Sequence, residues 1–462
     1  MMGHVPKTDA LFYYFRLEDQ IPQHHLLRLI NRYVDFGFVH QRLAPFYKEG
    51  GRPSVDPEVL MRMLLLGYLY GIGSDRKLAE EVRLNLAYRW FTGLGLDHDV
   101  PDHSTFSKNR HDRFRESGIF REIFEEIVRR CIQEGLVEGK HLSVDGTVIQ
   151  ADAQGKCRKA PKELEQIAKP SWSLKEYLAE LEKQDPKSSS GDDASASNET
   201  SLNEDKEAKT VSTTDPDAAW CGKYGPAHWA YYDNYLIDNP SRVIVGVEGT
   251  AALFSQEAVA AQKMLEDLPR LGLHPESLGA DKAYGSGEFL AWLLNRKIAP
   301  HIPVIDHHHQ TQGRFTKDRF QYDASTNSFT CPNGQTLSYR GLNRQAQMYV
   351  YSSRPSQCQG CPLKAQCITG PSRKVTMHWY EDARQAARAL KGTPAYEQSR
   401  KTRYRVEVLY SELKNRIELR KVRLRRLWNV AEQFLLAATV QNIKRLVKFL
   451  NLKQPTLAPN TA

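Results

Sequence analysis

The sequence predicts an α/β protein in which a mixed sheet is flanked by helices, preceded by an all-helical segment and followed by a basic helical one. Three observations predict it. Apolar residues recur at helical spacing up to about residue 140. Between 141 and 305, β-rich runs alternate with helical patterns in the order β, insertion, β, β, α, β, α, β. Beyond 380, cations crowd a long helical stretch. The 462 residues, 40% hydrophobic and 10% aromatic, suffice for about three folding units at roughly 150 residues each, which excludes wholesale disorder.

The elements follow from local chemistry. Asp56-Pro57 opens an apolar run through Leu60, Met63, Leu64 and Tyr68 that breaks at Gly71-Ile72-Gly73. Ser74, Asn85 and Asp102 then stand as N-caps of three short helices, the last carrying Lys108, Arg110 and Arg113. Residues 1–140 therefore read as a helical, helix-turn-helix-like module; a plain helical packing domain has the same spacing. A strand covers His141 to Ile149, and the Lys-, Glu- and Ser-rich stretch 155–215 reads as a mobile insertion with one helix near Leu174 to Lys183. Strands at His228–Ile237 and Arg242–Val247, a helix at Gln256–Leu268, a short strand into Gly279, a helix at Gly287–Asn295 and a strand at Pro300–Ile305 complete the segment 141–305. Residues 306–380 form a second insertion with Cys and aromatics, 381–450 a helical basic segment, and 451–462 a disordered tail.

The longest apolar stretch, Leu60 to Ile72, has thirteen residues and contains Arg62, short of the ~20 that cross a bilayer. Met1 to Asp9 shows no apolar h-region, so a cytoplasmic location is expected. The seven cysteines are odd in number and mostly scattered, which fits a reducing compartment. The formal charge of +9 suggests a polyanionic partner where it is clustered. It is: residues 400–426 hold eleven Lys or Arg against three Glu, a local excess of eight, and such a one-signed run reads as a track for a nucleic-acid backbone.

Three acids carry candidate chemistry. Asp145 in Ser-Val-Asp-Gly-Thr and Asp281 in Gly-Ala-Asp-Lys-Ala-Tyr-Gly end predicted strands and are followed by small residues that let a backbone or phosphate approach. Glu407 shares one side of a predicted helix with Arg403 and Lys414, whereas Glu412 lies five residues on and faces away. Three carboxylates on a sheet and an adjacent helix can hold two Mg²⁺ or Mn²⁺ ions for phosphodiester chemistry; singly, each also fits a turn residue or a surface ion pair.

The chain resembles the DDE transposases of bacterial insertion sequences, close to the group numbered eleven eighty-two. The resemblance runs over roughly residues 10 to 450, through Gly51-Arg52-Pro53, Asp56-Pro57, Ser74 to Leu78, Ala87 to Leu94, Pro101 to Phe106, Val144 to Thr147, Ala280 to Gly285, Val406-Glu407 and Leu413-Lys414. It implies a ribonuclease H-like core, Asp145, Asp281 and Glu407 as the metal-binding triad, and Arg403 and Lys414 on phosphates near the element's end. Lys282, Tyr284, Arg400, Arg405, Lys108 and Arg110 are expected to face DNA as well. One departure is Arg400, where the related signature has Tyr. The function implied is binding of terminal inverted repeats, cleavage at the ends and transfer of the 3′-hydroxyls to target DNA by a dimer or larger synaptic assembly, associated with the nucleoid. A nuclease without strand transfer and an inactive DNA-binding regulator are the alternatives.

Cys331, Cys358, Cys361 and Cys367 include one C-x-x-C and fit either a structural Zn²⁺ site or free thiols. Cys131, Cys157 and Cys221 read as incidental, and His307 to His309 as a polar loop.

Overall fold

The computed structural model describes residues 14–47, 50, 54–167, 169–184, 210–223, 225–253, 256–305 and 314–453. Gly51-Arg52-Pro53, the first nine residues, Asp306 to His309 and most of the proposed tail lie outside them. The chain forms two compact units, one comprising 1–139, 144–274 and 404–462, the other 140–143 and 275–403. Among the described residues no helix is long and apolar enough to cross a membrane.

The first unit begins with helices at the positions that the caps predict. After α1 (Leu26–Tyr33), helix α2 (Pro57–Leu69) starts where Asp56 accepts from the Glu58 N–H, and its residues are nearly all buried. Ser74 caps α3 (Asp75–Leu84), Asn85 caps α4 (Leu86–Thr92) and Asp102 caps α5 (His103–Asn109). The third of these is shorter than its sequence pattern suggests: from Arg110 to Phe114 the backbone widens into a π turn, with Asp112 outside helical geometry. The turn sets Arg110 into the core, 6% exposed, instead of on an outer helix face. Helix α6 (Ile119–Gln133) follows.

Strand β1 (His141–Gln150) is buried along most of its length, with only its two end residues exposed and Asp145 half-buried. The insertion after it is folded at its described ends: α7 (Trp172–Gln184) occupies the expected place, and Leu164, Leu174 and Val211 form a small core. Next to them Asp215 is wholly buried, accepting from the Tyr231 hydroxyl at 2.8 Å and the Arg426 N–H at 2.9 Å. The hairpin β2 (His228–Asp238) and β3 (Ile244–Ala251) is antiparallel, β2 neighbours β1, and α8 (Gln256–Asp267) covers the hairpin. Aromatic and β-branched residues of β2 suit a strand buried on both faces.

In the second unit β4 (Ser277–Gly279) runs parallel to the first residues of β1, with Ser143 opposite Gly279. Helix α9 (Gly287–Asn295) leads to β5 (Ala299–His301), parallel to β4 and shorter than the predicted strand. The segment read only as a Cys-containing insertion holds an antiparallel sheet in chain order: β6 (Gln321–Asp323), β7 (Ser328–Thr330), β8 (Thr336–Asn343), β9 (Met348–Ser352) and β10 (Lys374–His378). Its core is Phe320, Phe329, Leu337, Tyr351 and Val375. Helices α10 (Glu381–Leu390) and α11 (Pro394–Thr402) end the unit.

The chain then returns to the first unit. The predicted long helical stretch is broken: α12 (Tyr404–Asn415) follows α11 across Arg403, and an irregular stretch precedes α13 (Leu427–Lys453). Helix α13 is buried along most of its length against α1, α2, α6 and β3. Its core packing was legible in Phe434, Leu435, Ala438, Val440, Ile443 and Leu446; its buried Glu432, Gln433, Gln441 and Asn442 were not. Glu432 meets Arg110 at 2.7 Å, and Arg110 also reaches Asp75 at 2.5 Å.

Two outcomes follow. Arg110→Ala leaves Glu432 buried and unpaired, so we expect a loss of about 3–5 kcal/mol in a urea titration; an unchanged midpoint would show that Arg110 is not part of the core. Burial pushes the Asp215 carboxyl up to about 7. The folded state then keeps a proton that the unfolded chain releases near the ordinary carboxyl value. Its contribution is complete below about pH 4 and falls toward pH 7 by on the order of 1.4 kcal/mol per pH unit. Asp215→Asn should flatten the thermal midpoint over this range; a slope equal to that of the wild type would refute the assignment.

Candidate functional site

Asp145 is the fifth residue of β1 and half-buried. Strand alternation sets it on one face with Thr147, while Val144 and Gly146 point to the other. Its Oδ1 accepts from the Gly146 N–H at 2.9 Å. The glycine is required by its neighbours: a Cβ there would lie 2.6 Å from Asn234 Oδ1 and 3.0 Å from Glu257 Oε1. The space expected for a phosphate behind Asp145 is therefore filled by the protein's own side chains.

Helix α12 is laid against this strand by Tyr410. The hydroxyl donates to the Asp145 carbonyl at 2.6 Å, with the Asp233 carbonyl at 3.1 Å, and accepts from the Tyr235 N–H at 3.1 Å. The rings of Tyr410 and Tyr235 stack at 4.9 Å. Four residues on, Lys414 Nζ donates to Thr147 Oγ1 at 2.7 Å. Glu407, three residues before Tyr410, continues the same stripe. The sequence pairing of Glu407 with Lys414 on one helix side thus stands, whereas Arg403 lies at the junction before α12. Lys414, expected on phosphate, is turned inward; burial and Arg420 lower its pKa against the pull of Asp233.

The two competing acids differ in surroundings. Glu412 accepts from Arg445 at 3.1 Å and Gln441 at 3.4 Å, and pairs with Lys444 at 3.5 Å, all on α13. Glu407 is exposed and, among the described residues, has no ion pair or side-chain hydrogen bond.

Sequence reasoning missed Asp233. It is fully buried in β2, and neither carboxyl oxygen has a hydrogen-bond partner among the described residues. Burial pushes its pKa well above the carboxylate range, opposed by the nearby Tyr235 hydroxyl and the Lys414 charge. The available signal was a lone acid, next to Asn234, inside the mainly aromatic and apolar run Trp229 to Ile237.

In the second unit Asp281 follows β4 and caps a short turn, its Oδ1 accepting from the Ala283 N–H at 2.8 Å. Gly285 is obligatory, since a Cβ would collide with the Pro303 carbonyl oxygen. Lys282 is exposed, but Tyr284, expected to face DNA, is 1% exposed and packs beside Phe289. Arg400 is exposed and paired with Glu397 at 2.8 Å, and Arg403 is half-exposed.

The cationic run is only partly an outward track. Arg405 donates to the Asn239 carbonyl. Lys421 and Arg425 pair with Asp152, and Arg423 donates to the Ile72 carbonyl at 2.8 Å. Arg426 is buried with Asp217 at 3.1 Å and with Glu180. These partners lie far away in sequence, so the run looked uncompensated. In the N-terminal helices Lys108 is exposed, while Arg110 is held in the core by Glu432 and Asp75 and cannot reach DNA.

Among the described residues no three His, Cys, Asp or Glu side chains stand grouped as ligands of one metal ion. The chemistry of the acids nonetheless suits hard divalent cations: Asp145 and Asp281 are half-buried carboxylates and Glu407 an exposed one.

Residues 15–112 match the family model described as a transposase domain (DUF772), and residues 330–447 match that of the transposase DDE domain. Two separate stretches of the chain are thus similar to transposase domains. The DDE match contains Glu407 and all four clustered cysteines, while Asp145 and Asp281 lie outside it. No curated protein matches. Among solved structures, the cryo-EM structure of a piggyBac transposase synaptic complex with hairpin DNA is similar over 94% of this chain and 82% of that one, at 9% identity and a TM-score of 0.30. So slight a likeness carries no argument about this chain.

Tyr410→Phe leaves the Tyr235 N–H without its acceptor and the Asp145 carbonyl without its donor. We expect a loss of about 1–3 kcal/mol, read by urea unfolding; a neutral substitution would mean that α12 is held by packing alone.

Proposed function

We propose that this chain is the transposase of a bacterial insertion sequence of the group numbered eleven eighty-two, with a ribonuclease H-like core. It binds the element's terminal inverted repeats, cleaves DNA at the ends and transfers the 3′-hydroxyls to target DNA. The observation that carries this reading is the state of Glu407. Of the two acids on α12, both inside the stretch that matches the DDE domain, it is the one left exposed and uncommitted, on the helix stripe that Tyr410 and Lys414 turn toward the Asp145 strand. Asp145 in β1 and Asp281 just after β4 each stand two residues past the paired positions Ser143 and Gly279 of these parallel strands.

In this reading Asp145, Asp281 and Glu407 hold Mg²⁺ or Mn²⁺, which when bound supplies activation of the attacking oxygen and stabilisation of the leaving one. The chain's own residues orient the acids. The Gly146 N–H fixes one oxygen of Asp145, the Ala283 N–H fixes one of Asp281, and Tyr410 sets the helix that bears Glu407. Of the cations expected to face DNA, Lys108, Lys282, Arg400 and Arg403 stay at least partly exposed to meet its phosphates, and two element ends call for a dimer or larger synaptic assembly.

The test is cleavage of DNA bearing the element's natural ends, with Mg²⁺ or with EDTA, by the wild type and by Glu407→Gln and Glu412→Gln. We expect end-specific nicking and joining that requires metal. Glu407→Gln should lower it by roughly 100-fold or more, the scale on which losing one transition-state charge stabiliser tells, with unfolding unchanged. Glu412→Gln should lower thermal stability and leave the metal-dependent chemistry. The reverse pattern would move the third acid to Glu412, and binding without cleavage would overturn the enzymatic reading.

A further inference from the structure

The four cysteines that function did not absorb come together in the second unit. Cys331 sits in the tight turn between β7 and β8, Cys358 in the short helix Pro355–Gln359, Cys361 just after it, and Cys367 at the end of the short helix Lys364–Cys367. All four line one cavity of about 30 Å³ with Gln335, Leu337 and Ser353 among its walls, roughly the room of one ion or water.

Two features of this cavity point to a bound cation with thiolate ligands. Polar groups already address the sulfurs: the Gln335 N–H donates to Cys331 Sγ at 3.4 Å, and the Ser353 hydroxyl lies 3.1 Å from Cys358 Sγ. Lys364 and Arg373 line the same cavity, and four thiolates around one divalent ion would leave two negative charges for them to offset. Among the described residues, the five-stranded sheet that these loops join has a core of five buried residues with partly buried ones packed against it, a size at which small folds rely on a metal or disulfide.

We propose that Cys331, Cys358, Cys361 and Cys367 form a tetrahedral, structural Zn²⁺ site that clips the β7–β8 turn to the loop between β9 and β10. No three of the side chains are grouped as ligands without the ion, so binding requires rotation about their single χ1 torsions as the thiols lose their protons to solvent. Zn²⁺ is favoured over harder cations because all four donors are sulfur.

The test uses the full chain. Purified under reducing conditions, it should contain one zinc per chain by elemental analysis. Cys358→Ser and Cys361→Ser should lower this to a tenth or less, while Cys131→Ser and Cys157→Ser leave it unchanged. Should the cluster variants fail to fold, the unmodified chain exchanged into Co²⁺ still decides: thiolate-to-cobalt charge transfer with tetrahedral d–d bands supports the site. Absence of both zinc and cobalt spectrum, or mass-spectrometric detection of two disulfides among the four cysteines in the native protein, overturns it.

Discussion

The first unit depends on satisfying the polar side chains of one buried helix. Helix α13 enters the core with Glu432, Gln433, Gln441 and Asn442 all buried, and each would cost the desolvation of a polar or charged group if left alone. Each finds a partner in a different part of the chain. Glu432 takes Arg110, Gln433 accepts from the Arg423 N–H, Gln441 donates to the Leu409 carbonyl, and Asn442 both accepts from and donates to the backbone of Ile244. Apolar packing would allow the helix to slide; these bonds fix its register against the N-terminal helices, the loop before it, helix α12 and strand β3.

The same demand decides which acid is free. Glu412 and Glu407 share a helix, and a helix alone does not rank them. Arg445 and Lys444 on α13 engage Glu412, so the register of α13 consumes one carboxylate. The Tyr410 hydroxyl then turns the opposite stripe toward Asp145, and Lys414 is pinned to Thr147. The candidate site is thus a by-product of how the core is closed, which is why Lys414 faces inward where a sequence count would place it on a surface.

Much of the organisation was legible locally. Ser74, Asn85 and Asp102 cap helices where their side chains reach the first free N–H groups, because capping depends on a few neighbouring residues. The strand carrying Asp145, the strand leading to Asp281 and the helix carrying Glu407 were equally plain, since strand and helical spacing are short-range patterns. The π turn at Arg110 and the break at Arg403 were not, as both answer to packing partners elsewhere in the chain. Nor was the five-stranded sheet of 321–378, whose exposed strand β8 lacks a clean apolar alternation.

By itself the sequence determined where the acids, caps and cysteine motif stand along the chain, and the excess charge between 400 and 426. Only the tertiary structure decided their use: that Arg110, Tyr284 and Arg426 are buried, that Asp152, Asp217 and Glu180 neutralise much of the cationic run, and that Asp233 is sealed in the sheet. The reason is range. Propensity and periodicity act over a few residues, whereas burial and ion pairing are settled by groups hundreds of residues apart.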